Sequence, residues 1–197
     1  MSHPPTSRLD LSALSVPDFL ETERLILRRP TPEDGVAINA ALHASWGELQ
    51  QWMAWAQGDP PPVEETVALQ HKAAAQYQAR EEFHFNAFLK ETGAFVAKPS
   101  LLRIAREVPK GEIGYWIDTR FSGRGLITEA VLALTAFGLE TLKLARIEIR
   151  CDATNVRSAA VAERAGFPLE GRLLNEARDP QGALRDTLVF ARISGPL

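Results

Sequence analysis

The spacing of apolar residues along the chain predicts strands that alternate with helices. Short apolar runs and alternation at every second residue are typical of strands, whereas apolar residues three or four positions apart are typical of helices that face a core. These patterns predict strands over residues 25–27, 83–89, 94–104, 112–117 and 147–151. We expect Pro99 to interrupt the third of these strands. Residues 169–193 are a predicted hairpin that turns near residues 179–182.

Helices are predicted between these strands. The first begins at Thr31 and Pro32, a capping residue followed by a proline at the first helical position. Its inward-facing residues are expected to be Val36, Ile38, Ala41 and Leu42. Further helices are predicted over residues 63–79, residues 127–142, and from the cap Asn155 to Gly166.

Strands and helices mixed around one sheet predict an α+β (mixed α/β) fold. A length of 197 residues suits one domain with a substantial core. Residues 1–18 are a predicted N-terminal extension, because residues up to about 16 are rich in Ser and Pro and look loosely attached. Residues 19–197 are the predicted domain.

Composition excludes several classes of function. A formal net charge of −3 provides no basic surface for nucleic acid. The single cysteine, Cys151, allows neither an intrachain disulfide nor a cysteine-based zinc site, and we interpret it as a buried small residue. His43, His71 and His84 lack metal-ligand spacing, so no metal is expected. With no membrane-length apolar run and no signal peptide, we expect a cytoplasmic protein that does not bind membranes.

The turn between the strand at residues 112–117 and the following helix is the main candidate for chemistry. Gly123 and Gly125 let several backbone N–H groups converge where the helix presents the positive end of its dipole. This arrangement suits a phosphate or pyrophosphate. The turn is not a P-loop, because the Gly-Lys-Ser/Thr of that motif is absent. It is a poor dinucleotide fingerprint as well, because Thr128 stands where a third glycine is needed. The alternative is a tight connection without a ligand.

The wider context of this turn resembles a known family. Arg120-x-x-Gly123-x-Gly125 is similar to the Arg/Gln-x-x-Gly-x-Gly/Ala signature of the GNAT N-acetyltransferases. The branch that acetylates the N-termini of ribosomal proteins resembles this chain in further segments. These segments are residues 20–28, 112–117, 148–158 and 165–167.

The resemblance implies a mostly antiparallel sheet, flanked by helices, whose fourth and fifth strands (residues 112–117 and 147–151) splay apart around acetyl-CoA. It implies that the exposed backbone of Tyr115, Trp116 and Ile117 pairs with the pantetheine arm. It also implies that Asn155 binds the arm near the thiol, although this residue is alternatively a helix cap. The implied pyrophosphate donors are the backbone N–H groups of Phe121, Ser122, Gly123, Arg124, Gly125 and Leu126.

The resemblance further implies a general acid and a general base. Ser158 occupies the place of a serine proposed as general acid, and the alternative is a first-turn serine that bonds to local backbone. Glu112 and Glu148 are the candidate bases, directly or through water; alternatively, Glu148 and Arg150 form only a surface pair. Glu176 is displaced by one position from a glutamate that the family uses.

Other positions depart from the family pattern. Residues 97–100 stand where the family's third strand usually has glycines, and Ala162 replaces the tyrosine acid of some relatives. Trp46, Trp52 and Trp55 either line the acceptor mouth or pack in the core.

These features lead to three hypotheses for function. The first is an acetyl-CoA-dependent N-acetyltransferase that acts on a protein α-amino group, such as that of a ribosomal protein. The second is the acetylation of a small amine of the polyamine or aminoglycoside kind. The third is a non-catalytic regulatory module that binds coenzyme A. A homodimer is compatible with each of them.

Overall fold

A computed structural model describes residues 8–195 as one mixed sheet with helices on both faces. The helices are α1 (Gly35–Trp52), α2 (Val63–Ala79), α3 (Leu126–Ala136) and α4 (Val156–Arg164). The strands are β1 (Phe19–Glu21), β2 (Leu25–Arg28), β3 (Phe83–His84), β4 (Asn86–Leu89), β5 (Phe95–Ala105), β6 (Lys110–Ile117), β7 (Arg146–Asp152), β8 (Leu169–Arg178) and β9 (Leu184–Ile193). Short 3-10 turns cover Pro32–Asp34 and Thr119–Phe121, and a π-helical turn, Phe137–Thr141, extends α3.

The strands form one sheet in the order β1-β2-β4-β5-β6-β7-β9-β8, and β3 pairs with β5 beside β4. Neighbouring strands are antiparallel throughout this order except for β6 and β7, which run parallel. The connection between these two strands contains α3, as a parallel crossover requires.

The parallel ladder between β6 and β7 is short. It joins Lys110 to Arg146, Gly111 to Ile147 and Glu112 to Glu148, and then it stops. Beyond that point β6 continues to Ile117 paired only with β5, and β7 continues to Asp152 paired only with β9. The sheet therefore opens into a V whose apex lies at the two glutamates.

Each face of the sheet carries its own hydrophobic cluster. Ile113 of β6 packs in the cluster that includes α3 and α4, whereas Trp116 packs in the cluster that includes α1. These residues face opposite ways because successive side chains of a strand alternate. Within the α3 cluster, Phe137 makes edge-to-face contacts with Phe83 and Phe85 at centroid distances of 5.3 and 5.5 Å.

Most predicted elements are confirmed, and the prediction for α2 has the same bounds as the structure. The predicted interruption of β5 at Pro99 is wrong, because β5 runs through it and Pro99 pairs with Tyr115. The break falls in the neighbouring strand instead. Phe85 donates its N–H to the Pro99 carbonyl at 3.0 Å, but Pro99 has no N–H to donate to the Phe85 carbonyl. The ladder is therefore interrupted at Phe85, which separates β3 from β4.

The prediction for the first helix needs two corrections. The segment begins with the 3-10 turn Pro32–Asp34, and α1 follows from Gly35. Ile38, Ala41 and Leu42 are buried as predicted, but Val36 is 68% exposed. Val36 precedes Ile38 by two residues, which places it about 200° away around the helix, on the opposite face.

The described part of the N-terminal extension packs against the domain, so the expected loose attachment is wrong for residues 8–16. Leu11 is fully buried in the α3 cluster, and Leu9 donates its N–H to the Arg106 carbonyl at 3.0 Å. The Pro17 carbonyl accepts a hydrogen bond from the Tyr77 hydroxyl at 2.6 Å. Residues 1–7 lie outside the described residues, and the boundary at residues 18 and 19 stays a prediction.

None of the helices within residues 8–195 combines the length and the apolar character that crossing a bilayer demands.

We expect Phe137→Ala to lower the free energy of unfolding by about 3–5 kcal/mol, because Phe137 is 2% exposed and its ring fills the space between Phe83 and Phe85. Urea unfolding followed by circular dichroism measures the change. Val36→Ala is the matched control and should change the free energy by less than about 0.5 kcal/mol, since Val36 is exposed. A loss below about 1 kcal/mol for Phe137→Ala would contradict the described packing.

Candidate active site

The loop that follows β6 presents open backbone donors at the start of α3. Gly123 and Gly125 have φ angles of 76° and 75°, in the left-handed region that favours glycine. Within residues 8–195, the N–H groups of Gly123, Arg124 and Gly125 donate to no acceptor. Leu126 begins α3, and first-turn N–H groups of a helix have no helical acceptor.

Two of the predicted pyrophosphate donors need correction. Phe121 donates its N–H to the Asp118 carbonyl at 2.9 Å, and Ser122 donates its N–H to the Thr119 carbonyl at 3.1 Å. These bonds close the 3-10 turn after β6, which Asp118 also caps through Arg120 N–H. The open donors are therefore the N–H groups of residues 123–126.

The edge of β6 that faces the V carries unpaired backbone. Residues 113–117 have no partner on β7, because the ladder ends at Glu112 and Glu148. Tyr115, Trp116 and Ile117 thus belong to a stretch of strand with one open edge, on which an extended ligand with amide groups could pair.

Asn155 caps α4 and still has a free donor side. Its Oδ1 accepts the Ser158 N–H at 3.0 Å, so the helix-cap interpretation is observed. Among the described residues its Nδ2 makes no hydrogen bond. The cap and a bond from Nδ2 to a ligand are therefore compatible.

Ser158 and Tyr115 meet across the V, from α4 and β6. The Tyr115 hydroxyl lies 3.0 Å from Ser158 Oγ and donates to the Ser158 carbonyl at 3.2 Å. Burial raises the pKa of Tyr115 to about 12, and the hydrogen bond with Ser158 opposes this shift only partly. The phenol is therefore protonated at physiological pH. The family resemblance points only to the backbone of Tyr115, although strand alternation places its side chain on the face opposite Trp116.

Cys151, on β7, is buried. Burial raises the pKa of its thiol, so the group is protonated at physiological pH. This agrees with the interpretation of Cys151 as a buried small residue.

The two candidate bases stand opposite each other at the apex of the V. Glu112 accepts from Arg103 Nη1 at 2.5 Å, and Glu148 accepts from Arg146 Nε at 2.8 Å. Their side chains are 17% and 15% exposed. The alternative pairing of Glu148 with Arg150 is wrong, because Arg150 forms its ion pair with a different glutamate.

That glutamate is Glu176, on β8. Its carboxylate accepts from Arg150 Nη2 at 2.5 Å and from the Thr187 hydroxyl at 2.7 Å. A bulge makes this possible, because the register moves from Leu173 opposite Thr187 to Ala177 opposite Arg185. The bulge contains Asn175 with a φ of 50°, and it directs Glu176 toward Arg150 despite the displacement seen in the sequence.

The altered third-strand segment, residues 97–100, is regular strand that pairs with β6 at every position. Lys98 is buried beneath α2, where its Nζ donates to Gln70 at 2.9 Å and to Asn86 at 3.3 Å. Burial lowers the pKa of Lys98 to about 8, against the opposing charge of Asp34. The departure from the family pattern therefore leaves the strand next to β6 intact.

The tryptophans divide between the two interpretations. Trp46 packs against the α1 cluster and donates its indole N–H to the Gly58 carbonyl at 2.9 Å. Trp52 is half-buried. Trp55 lies 6.1 Å from the Trp46 ring and is 53% exposed, so only this ring is largely open to solvent.

Comparison with known proteins agrees with this geometry. A family model described as an acetyltransferase (GNAT) domain matches residues 24–168. The chain belongs to the GNAT acetyltransferase family. Membership confirms the predicted class of enzyme, an acetyl-CoA-dependent N-acyltransferase. It also confirms the predicted fold class, an α+β fold with a mostly antiparallel sheet flanked by helices.

Two curated relatives show how far the sequence similarity extends. A probable N-acetyltransferase of Bacillus subtilis is 37% identical over 111 residues, which are 54% of this chain and 61% of that protein. The ribosomal-protein-serine acetyltransferase of Escherichia coli is 40% identical over 82 residues, 42% of this chain and 45% of that protein. The matched region thus spans about three fifths or less of the length of these two relatives.

Solved structures extend the likeness to most of the chain. RimL, a ribosomal α-N-protein acetyltransferase solved in complex with coenzyme A, superposes with a TM-score of 0.82 and 25% identity. The match covers 89% of this chain and 98% of RimL. A microcin C7 self immunity acetyltransferase, solved in complex with acetyl-CoA and AMP, has a TM-score of 0.80 and 22% identity. The match covers 87% of this chain and 93% of that one, which shows a shared fold.

Within residues 8–195, no group of three or more His, Cys, Asp or Glu side chains is arranged to hold a metal ion. That the reaction needs no metal stays a prediction.

Both tyrosines of the chain, Tyr77 and Tyr115, should stay protonated at pH 10 in the folded protein, because burial raises the pKa of each above its ordinary value of 10.0. A pH titration of absorbance at 295 nm checks this, with urea-unfolded protein, half ionised at pH 10, as the reference. The native state keeps these protons more tightly, so the free energy of unfolding should fall as pH rises from 10 toward 12. If the folded protein contained, at pH 10, as much phenolate as one half-ionised tyrosine provides, the described burial would be contradicted.

Proposed function

We propose that this GNAT enzyme transfers the acetyl group of acetyl-CoA to the α-amino group of a protein, such as a ribosomal protein. The observation that carries the proposal is the V between β6 and β7, with open N–H groups at one end and the pair of Ser158 and Tyr115 on its wall. The identity of the acceptor rests on the ribosomal-protein relatives.

The direction of the donor follows from the order of the elements. The loop at residues 123–126 follows the end of β6, so a pyrophosphate held there leaves the pantetheine arm to run back along Ile117 and Tyr115. The thioester would then lie near Ser158, which contacts Tyr115. Glu112 and Glu148 lie further toward the apex, on the face of the sheet opposite Tyr115, which suits an amine that arrives from that face.

The residues present fit the chemistry of direct transfer. The neutral amine nitrogen attacks the thioester carbonyl carbon, a C–N bond forms, and the C–S bond breaks as the thiolate leaves. A backbone N–H on the open edge of β6 would stabilise the negative oxygen. Ser158 would donate its hydroxyl proton to the thiolate, and the protonated Tyr115 phenol beside it can replace that proton.

The acceptor is an ammonium that must lose one proton before its neutral nitrogen can attack, and a carboxylate would take that proton. The nitrogen loses a second proton as the amide forms, and this proton would replace the one that Ser158 and Tyr115 give to the thiolate. Glu112 and Glu148 lie at the apex of the V, and Glu176 joins them as a candidate because it pairs with Arg150 of β7. An arginine bonds to each of these carboxylates and holds it in place. We place Glu112 and Glu148 first, since they flank the point where the strands separate.

The same ion pairs argue against the acceptor of the second hypothesis. A polyamine or an aminoglycoside carries several positive charges and requires unpaired carboxylates around it. Glu112, Glu148 and Glu176 are each neutralised by an arginine, which favours an acceptor with one reactive amine. The third hypothesis, a non-catalytic module, is weakened by the regular strand at residues 97–100 and by the contact of Ser158 with Tyr115.

A ribosomal-protein acceptor would place the reaction in the cytoplasm. Independence from nucleic acid and membranes, and assembly into a homodimer, remain parts of the proposal that binding assays and analytical ultracentrifugation can test.

We expect Ser158→Ala to lower kcat by about 100-fold with little change in the KM for acetyl-CoA, because the leaving thiolate loses its proton donor. A thiol-release assay with acetyl-CoA measures this on peptides that begin with Ser or Ala, with spermidine and an aminoglycoside as competing acceptors. Ser194→Ala, at an exposed serine, is the control. Turnover of spermidine but of no peptide would overturn the proposed acceptor, and an unchanged kcat would remove Ser158 from the mechanism.

The general base should reveal itself through the pH dependence of Glu112→Gln, Glu148→Gln and Glu176→Gln. Near pH 7 the variant that lacks the base should lose about tenfold or more in kcat/KM for the peptide. Above about pH 9 it should approach the wild type, since an α-amino group with a pKa of about 8 is then deprotonated by solvent. If all three variants stay within about twofold of the wild type at pH 7, no carboxylate of this set is the base.

A further inference from the structure

Arg24 bridges the N-terminal strands and the loop at the start of α3. It lies between β1 and β2, yet its guanidinium donates from Nη1 to the Arg124 carbonyl at 2.9 Å. The same group holds Glu129 of α3, with Nε and Nη2 both 2.7 Å from Oε2. One side chain therefore contacts the loop and the first turn of the helix that follows it.

Glu129 holds Arg24 in a fixed orientation. Besides the guanidinium, its carboxylate accepts the Arg24 backbone N–H at 2.8 Å and the Thr22 hydroxyl at 2.6 Å. Burial alone would raise the pKa of Glu129, but the hydrogen bonds from Thr22 and Arg24 outweigh it and lower the pKa. The carboxylate is therefore charged at physiological pH and keeps the guanidinium in place.

The bond to the Arg124 carbonyl determines where a neighbouring donor points. The Arg124 carbonyl and the Gly125 N–H belong to one planar trans peptide, so they point in opposite directions. Because Arg24 fixes the carbonyl, the Gly125 N–H is directed away from Arg24. Among the described residues that N–H has no acceptor, which is what an anion-binding donor requires.

A second carbonyl of this segment is held in the same way. The Arg120 carbonyl accepts from Arg124 Nη2 at 3.2 Å. Guanidinium groups thus cover two carbonyl oxygens that would otherwise repel an anion. Arg124 is exposed, but Arg24 is fixed on two sides and has the more rigid position.

We infer that Arg24 is a positioning residue for the pyrophosphate of the acetyl donor: clamped by Glu129, it holds the Arg124 carbonyl and so aims the Gly125 N–H at the phosphates. The inference rests on the proposed function, since it assumes that the loop receives the phosphates of coenzyme A. Arg24 itself does not contact the donor. It acts through the backbone of a loop 100 residues further along the chain.

The test compares two acetyl donors in Arg24→Ala and wild type. Acetyl-CoA carries the pyrophosphate, and S-acetylpantetheine has the same thioester and arm without it. We expect Arg24→Ala to raise the KM for acetyl-CoA and the Kd for coenzyme A by about tenfold, as for the loss of one charge-assisted hydrogen bond. The kinetics with S-acetylpantetheine and the KM for the amine should not change.

Circular dichroism shows whether Arg24→Ala folds. If it does not, two further variants still test the inference. Arg24→Lys keeps the charge, but its single ammonium lacks the planar fork that reaches Glu129 and the Arg124 carbonyl together, so we expect a loss of about threefold. Glu129→Gln should weaken coenzyme A binding in the same direction. The control is Arg8→Ala, which removes an exposed arginine paired with Glu107 at 3.0 Å and should change nothing.

Three results would be adverse, and each has a distinct meaning. Equal coenzyme A binding by Arg24→Ala and wild type would overturn the role of Arg24 and leave the proposed function intact. An equal loss with both donors would show that Arg24 supports only the fold, which also overturns its positioning role. A wild-type protein that bound no coenzyme A would overturn the proposed function, and the role of Arg24 with it.

Discussion

The separation of β6 and β7 after three paired positions is the constraint on which the site depends. Two parallel strands that part leave N–H and C=O groups on each inner edge without partners, and such groups bind an extended ligand readily. The strands can part because each remains paired on its outer side, β6 with β5 and β7 with β9. The stability of the sheet thus comes from its antiparallel neighbours, and the V is free for function.

The features around the V come from distant parts of the chain. Tyr115 of β6 meets Ser158 of α4 across the opening, and Arg24 reaches the glycine loop from the N-terminal strands. Neither contact joins residues close in sequence, so the site forms only when the whole sheet is assembled. The GNAT fold provides the V and the glycine loop of the proposed donor side, whereas the arginine-paired carboxylates at the apex bear on the choice of acceptor.

Local patterns predicted the elements well and the contacts between them poorly. Helix α2 could be bounded from periodicity alone, and the glycine turn could be recognised because left-handed φ angles leave a clear sequence signal. The sequence could not show which strand Pro99 interrupts, because the missing N–H breaks the neighbouring strand, between β3 and β4, rather than β5 itself. Glu176 looked misplaced since a bulge, unlike a regular strand, does not preserve the period of two. The burial of Leu11 depends on tertiary packing that no local pattern contains.

We propose that the donor lies along the open edge of β6 with its phosphates at the start of α3. Amide hydrogen exchange, measured by mass spectrometry with and without coenzyme A, tests it most directly. We expect slower exchange in peptides that contain residues 115–117 and 123–126, with little change in β1 and in the hairpin of β8 and β9. Protection confined to other parts of the sheet, with residues 115–117 and 123–126 unaffected by coenzyme A, would contradict it.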